Sequence, residues 1–182
     1  MGMPTLVVVS GPAGAGKTTL AHELARAVGC PAICRDEIKE GMVQANPGFR
    51  PAPADPLTQR TFTTFFDVLG LLLSAGVTVV AEAAFQDRVW RPGLERLARL
   101  AEIRIVQCTV DPTVARARTA RRLADGPDAR KAHADRELVD GSPGLFAAIS
   151  FPAPTLRVDT TEGYEPSLPE VVAFVNDVDR SR

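Results

Sequence analysis

Short apolar runs alternate along the chain with longer segments in which apolar residues recur every three or four positions. The longer runs predict buried strands at Thr5–Ser10, Val77–Ala81 and Ile103–Val110, because consecutive branched residues are typical of strands covered on both faces. Two shorter runs, Ala32–Cys34 and Leu156–Val158, predict further strands. We therefore expect five strands in a mainly parallel sheet, which requires a helix at each crossover.

The segments between these runs have the period of an amphipathic helix. Helices are predicted at Lys17–Val28, across Phe62 to Leu73, across Trp90 to Ala101, at Pro112–Leu123 and at Leu168–Val178. The four prolines of Asn46–Pro56 predict a loop. Strands that alternate with helices indicate a three-layer α/β/α fold, and no repeat or linker divides residues 1–182 into more than one domain.

Composition and charge limit the classes of protein to which the chain can belong. The chain has 182 residues, 45% of them apolar and 24% charged, with a formal net charge of −1. This balance is typical of globular domains and gives no general attraction to nucleic acid or anionic membranes. The longest apolar run, Val68–Ala81, is too short to span a bilayer, and the N-terminus resembles no signal peptide. A cytoplasmic protein is expected.

The chain has three cysteines, Cys30, Cys34 and Cys108. Their odd number and the absence of a CxxC pair fit neither a disulfide framework nor a zinc site, so buried thiols are expected. Both histidines, His22 and His133, are interpreted as surface residues rather than catalytic bases.

The segment Gly11–Thr18 matches the phosphate-binding pattern GxxxxGK[ST] at every fixed position. Glycines allow the backbone to fold into a nest of N–H groups, Lys17 reaches the β and γ phosphates, and the Thr18 hydroxyl is a magnesium ligand. The motif lies between a predicted strand and a predicted helix, which is its required context. Binding of a nucleoside triphosphate with Mg²⁺ is therefore predicted. The expected nucleotide-binding residues are Gly11, Ala13, Gly14, Ala15, Gly16, Lys17, Thr18 and Thr19.

The chain lacks the guanine-selecting NKxD motif of GTPases, so a GTPase is not expected. With its small size, Gly11–Thr18, Arg35-Asp36 and the arginine-rich segment Arg118–Arg130, it resembles the small P-loop kinases. That group includes zeta-toxin-like, chloramphenicol phosphotransferase-like and polynucleotide 5′-kinase-like proteins of the AAA-type ATP-binding class. The resemblance implies the P-loop NTPase fold, a five-stranded sheet with a small helical lid, and phosphoryl transfer from ATP to a hydroxyl group.

Asp36 stands where this group has its catalytic aspartate. A carboxylate at the end of the strand after the P-loop helix can face the γ-phosphate and accept the hydroxyl proton, although Asp36 also suits a helix N-cap. Arg35 is a candidate substrate ligand or a solvated side chain. Glu82, where the group more often has Asp, is a candidate for the substrate site, for a magnesium-bound water or for a structural ion pair.

Three arginines, Arg118, Arg121 and Arg122, are spaced to share one helix face. The resemblance implies a lid at about 118–140 that covers the phosphates, with Arg118 and Arg122 as the first catalytic candidates; a solvated helix face is the alternative. The resemblance also implies that Asp159–Gly163 holds the adenine. The Asn46–Pro56 loop and the phenylalanine-rich helix after it are expected to shape the acceptor pocket; a plain surface connection is the alternative for the loop.

The function predicted from the sequence is an ATP-dependent kinase of a small hydroxyl compound, such as a metabolite, nucleoside, sugar or antibiotic. A polynucleotide 5′-hydroxyl kinase is an alternative, but the near-neutral charge and few aromatics disfavour nucleic acid as a partner. A non-catalytic ATP-binding regulator is the other alternative, because a P-loop encodes binding and not turnover. The oligomeric state is not predicted.

Overall fold

The computed structural model describes residues 2–50, 56–85, 87–124 and 146–177. Within them lies one five-stranded sheet in which every strand pairs in parallel, in the order β2-β3-β1-β4-β5. The strands are β1 Thr5–Ser10, β2 Ala32–Cys34, β3 Val79–Glu82, β4 Glu102–Thr109 and β5 Thr155–Asp159. The predicted parallel α/β sheet of five strands is confirmed.

Six helices connect and cover these strands within the described ranges. They are α1 Lys17–Val28, α2 Arg35–Gln44, α3 Pro56–Ser74, α4 Asp87–Leu97, α5 Pro112–Ala124 and α6 Leu168–Asn176. The predicted loop before α3 ends at Pro56, which is already the first residue of the helix, and 51–55 lie outside the described residues. None of the described helices combines the length and the apolar character needed to cross a membrane.

The packing of the central strand β1 explains why its apolar residues do not alternate with polar ones. Leu6 and Val8 belong to a core that includes residues of α3 and α4, whereas Val7 and Val9 belong to a second core with α1 and α6. All four side chains are fully buried. A sheet covered by helices on both faces has three layers, as the sequence predicts.

Aromatic side chains form the part of the first core that lies between α3, α4 and the end of β3. Ring centroids within this cluster are 4.8 to 6.0 Å apart, and Gly93 of α4 leaves the space in which one ring packs. The members are Phe62, Phe65, Phe66, Phe85 and Trp90. Phe65 and Phe66 are buried, so these two pack the core rather than line an acceptor pocket.

The register of the strands brings the ends of β1, β2 and β3 to one edge. Val9 and Cys34 are both paired with Glu82, so the P-loop, the start of α2 and the last residue of β3 leave the sheet at the same level. Ligands of open parallel sheets bind at this carboxyl edge.

Helix α2 begins directly after β2, without an intervening turn. Its N-cap is Cys34, which has extended backbone angles, so the predicted N-cap role of Asp36 is wrong. Asp36 lies instead in the first turn of the helix, where a negative charge is favoured by the exposed N–H groups. The short connection fixes this carboxylate close to the sheet edge.

Candidate functional site

The loop Gly11–Gly16 connects β1 to α1 and depends on its glycines for two different reasons. Gly14 and Gly16 have positive φ angles of 76° and 66°, which side chains with a Cβ rarely adopt. A Cβ at Gly14 would also lie 2.4 Å from the Ala115 carbonyl oxygen of α5. A Cβ at Gly11 would lie 2.7 Å from the Cys108 carbonyl oxygen of β4. The glycines therefore both shape the loop and let it pack closely against its neighbours.

Lys17 and Thr18 are the first residues of α1, at the end of the helix that attracts anions. Lys17 is only 8% exposed, and its Nζ donates a hydrogen bond of 2.9 Å to the Pro12 carbonyl oxygen. Its ammonium group is thus held across the mouth of the loop. Of the other predicted nucleotide-binding residues in the loop, Ala15 is buried and Ala13 is exposed at its turn.

Thr18 and Glu82 meet at the end of β3. The Thr18 hydroxyl donates a hydrogen bond of 3.1 Å to Oε2 of Glu82, a carboxylate that is 2% exposed. A hydroxyl and a carboxylate side by side are hard oxygen donors of the kind Mg²⁺ prefers. These two residues therefore fit a magnesium site, and Glu82 faces that site from the neighbouring strand.

Arg35 and Asp36 form an ion pair at the start of α2. Nη1 of Arg35 lies 3.0 Å from Oδ1 of Asp36, and both side chains are largely buried. Nε of Arg35 has no hydrogen-bond partner among the described residues. The pair therefore holds the carboxylate in a fixed orientation, and it leaves one buried N–H group of Arg35 for another acceptor.

Arg118 of α5 is half-buried and donates hydrogen bonds to backbone carbonyl groups. Its Nη2 donates to the carbonyl oxygens of Thr160 at 2.8 Å and Thr161 at 3.1 Å, and its Nη1 lies 3.5 Å from that of Gly14. The guanidinium thus links α5, the P-loop and the segment after β5. Arg121 and Arg122 are exposed.

A cavity of about 410 Å³ opens beside the P-loop. It is lined by Gly14, Gly16, Thr19, Arg118, Arg121, Arg122, Thr160, Gly163 and Tyr164. Three of the predicted nucleotide-binding residues, Gly14, Gly16 and Thr19, thus share one cavity with the three arginines that were predicted to lie on one face of α5. The rest of the predicted lid, including Arg130 and Lys131, lies outside the described residues.

Thr160 and Gly163 of the predicted adenine segment Asp159–Gly163 line the cavity, and Tyr164, one residue beyond it, is a site residue that the sequence did not single out. The Thr160 hydroxyl is 2.9 Å from the Ala15 carbonyl oxygen and 3.0 Å from that of Thr109, so it joins the segment after β5 to the P-loop. Burial and a hydrogen bond to Glu23 of α1 raise the pKa of Tyr164. Tyr164 belongs to no motif, and the only signal for it was its position just after the last strand.

Comparison with known proteins identifies the family and the fold of the chain. The family described as the AAA domain matches residues 6–140. No protein among those with curated descriptions matches the chain.

Several solved structures share the fold. A candidate kinase from Chloroflexus aurantiacus is 23% identical with a TM-score of 0.81, covering 96% of this chain and 97% of that one. An unliganded sugar kinase from Janibacter is 17% identical with a TM-score of 0.63, covering 95% and 94%. The APS kinase of Mycobacterium tuberculosis, in complex with AMPPNP and APS, is 16% identical with a TM-score of 0.61, covering 94% and 96%.

Because these identities are low, the solved structures establish the fold alone. The activity has to be inferred from the residues of the site. The family match covers most of the chain and includes the whole P-loop, Asp36 and Glu82. Together they confirm the resemblance to small P-loop kinases that the sequence motifs indicate. The chain belongs to the AAA-domain family and has the fold of the small P-loop kinases.

Proposed function

We propose that the protein is an ATP-dependent kinase that transfers the γ-phosphoryl group to a hydroxyl group of a small molecule. The observation that carries the proposal is the arrangement at the sheet edge. A P-loop lysine, a Thr18–Glu82 oxygen pair and the Asp36 carboxylate follow three adjacent strands. A site for phosphoryl transfer needs these three functions: a phosphate clamp, a metal site and a proton acceptor.

The P-loop side would bind ATP. Backbone N–H groups of the loop and the start of α1 would hold the phosphates, while Lys17 exchanges its bond to Pro12 for phosphate oxygens. Thr18 and Glu82 would hold Mg²⁺, which neutralises charge on the phosphates. The cavity beside the loop would receive the nucleoside near Thr160, Gly163 and Tyr164.

The arginines of α5 would divide two tasks. Arg118 is already bonded to three carbonyl groups, so we assign it to position the P-loop and the segment after β5. Arg122 is exposed on the wall of the cavity and has a charge available for the transferring phosphoryl group. Arg121 lines the same wall.

Asp36 would accept the proton of the attacking hydroxyl. Its pairing with Arg35 fixes the orientation of the carboxylate, which is the first requirement for general-base catalysis. Arg35 would contact the acceptor through its remaining N–H group. Structures of a sugar kinase and an APS kinase with this fold support a small acceptor as the substrate class.

The test is mass spectrometry of pooled sugars, nucleosides, antibiotics and short oligonucleotides after incubation with the protein and Mg·ATP. We expect one compound to gain a phosphoryl group with the wild type and not with Lys17→Ala or Asp36→Asn. Asp67→Asn, an exposed aspartate of α3, is the matched control and should retain activity. Phosphorylation of oligonucleotides alone would identify a polynucleotide kinase, and ATP binding without transfer would favour the regulator.

A further inference from the structure

Three side chains with different metal-binding atoms meet beside the proposed magnesium site. His22 comes from α1, Cys34 ends β2 and Glu37 lies in the first turn of α2. Their candidate ligand atoms all lie within 4.8 Å of one another. This cluster plays no part in the proposed kinase chemistry.

A single ring nitrogen of His22 faces both other groups. Nε2 of His22 is 2.6 Å from Oε1 of Glu37 and 3.7 Å from Sγ of Cys34. Bond lengths of 2.0 to 2.3 Å and tetrahedral angles place zinc ligands about 3.3 to 3.6 Å apart. The sulfur and nitrogen are therefore near this spacing already, whereas the exposed Glu37 carboxylate, at 2.6 Å from the nitrogen, must shift to reach the spacing of zinc ligands to both atoms.

We propose that His22, Cys34 and Glu37 bind one zinc-class divalent cation through a nitrogen, a sulfur and an oxygen. Water would complete a tetrahedral shell, because the side chains of His22 and Glu37 are 44% and 48% exposed and Cys34 closes the inner side.

The electrostatics of the cluster favour a cation. Burial and the neighbouring carboxylates of Glu82, Glu37 and Asp36 raise the pKa of the Cys34 thiol. The same carboxylates attract a divalent ion, whose charge then stabilises the thiolate; the thiol proton is released to solvent. The same negative surroundings therefore keep Cys34 as a thiol without metal and favour a bound cation that stabilises its thiolate.

The donor set separates this site from its neighbour. Thr18 and Glu82 present oxygen alone, which suits Mg²⁺, whereas a thiol and an imidazole select a softer ion. Metal binding would connect α1, β2 and the first helical turn of α2, which also contains Asp36. Because the three ligands come from three elements, no CxxC or His-rich spacing in the sequence indicates them.

The test is titration of the reduced, chelator-treated full chain with Co²⁺ in the absence of nucleotide, followed by competition with Zn²⁺. One equivalent of Co²⁺ should give a sulfur-to-metal charge-transfer absorption that Zn²⁺ removes and excess Mg²⁺ does not. Cys34→Ser should abolish the absorption, and Cys30→Ser, a nearby thiol outside the cluster, should preserve it. His22→Gln and Glu37→Gln should weaken Zn²⁺ binding, His22→Gln by at least about a hundredfold.

His22→Gln and Glu37→Gln change exposed side chains, so they remain informative if Cys34→Ser fails to fold. No charge-transfer absorption in the folded wild type, its persistence in folded Cys34→Ser, or unchanged Zn²⁺ affinity in both surface variants would overturn the site. Since the measurement uses metal alone and no ATP, its outcome is independent of the kinase proposal.

Discussion

The two halves of the sheet edge are built in different ways. On the side of the P-loop, hydrogen bonds to backbone carbonyls of Pro12, Gly14 and Ala15 hold the site together. On the side of α2 and α3, side chains bind other side chains, as in the Arg35–Asp36 pair and the bond from Lys39 to Thr58. A site built from backbone groups suits a part of the ligand that is always the same, such as phosphate. A site built from side chains can be altered by substituting one residue at a time.

The largest effect should come from separating chemistry from nucleotide binding. Asp36→Asn keeps the shape of the side chain but removes the proposed proton acceptor, so kcat should fall by roughly 10³-fold while ATP affinity stays within about twofold. Steady-state kinetics and calorimetric ATP titration check this. Asp67→Asn should change neither quantity. Equal losses of kcat and ATP affinity in Asp36→Asn would show that the α2 side is not a separate acceptor site.

Arg118 tests whether the P-loop side is one hydrogen-bonded unit. Arg118→Gln removes charged hydrogen bonds to three carbonyl groups, which should lower the free energy of unfolding by about 2 kcal/mol. Arg122→Gln, on the same helix and exposed, should leave stability unchanged and slow transfer instead. Denaturant unfolding of both variants gives the comparison. Equal stabilities would mean that the Arg118 contacts do not hold the loops.

Glu82 lies on the boundary between the two halves. Glu82→Gln preserves an oxygen beside Thr18 but removes its charge, so the Mg²⁺ concentration for half-maximal activity should rise by roughly tenfold. Titration of activity with Mg²⁺ at saturating acceptor measures the shift, and exposed Glu102→Gln serves as the control. A raised KM for the acceptor with an unchanged Mg²⁺ requirement would place Glu82 on the acceptor side.

The smallest effect concerns the aromatic cluster that packs between α3, α4 and the end of β3. A Cβ at Gly93 would lie 2.2 Å from the Phe66 ring, which is confined by Phe62, Phe65 and Trp90. Gly93→Ala should therefore destabilise the fold by about 1 kcal/mol, after the better helix propensity of Ala offsets part of the clash. Gly41→Ala, in the open part of α2, should stabilise the protein slightly. Thermal unfolding of both variants would show whether the aromatic cluster tolerates the added methyl group.

Local patterns in the sequence determined most of the fold. The period of the apolar residues specified the five strands and the principal helices, because burial on one or two faces leaves a direct trace in the order of residues. Gly11–Thr18 identified the phosphate loop for a similar reason: its function depends on backbone shape and on consecutive residues. The limits of β3 and the N-cap of α2 differ from the predictions because tertiary contacts, and not propensity, fix where an element ends.

Only the tertiary structure decided which distant residues meet. It brought Glu82 to Thr18 across 64 positions, turned Arg118 toward the P-loop, and buried Phe65 and Phe66 in the core. It also joined His22, Cys34 and Glu37 from three separate elements. Such groupings follow from strand order and helix packing. These depend on many weak contacts between distant residues, which leave no local pattern in a single sequence. The sequence thus determined the fold and the phosphate loop, and the packing decided the surroundings of each reactive group.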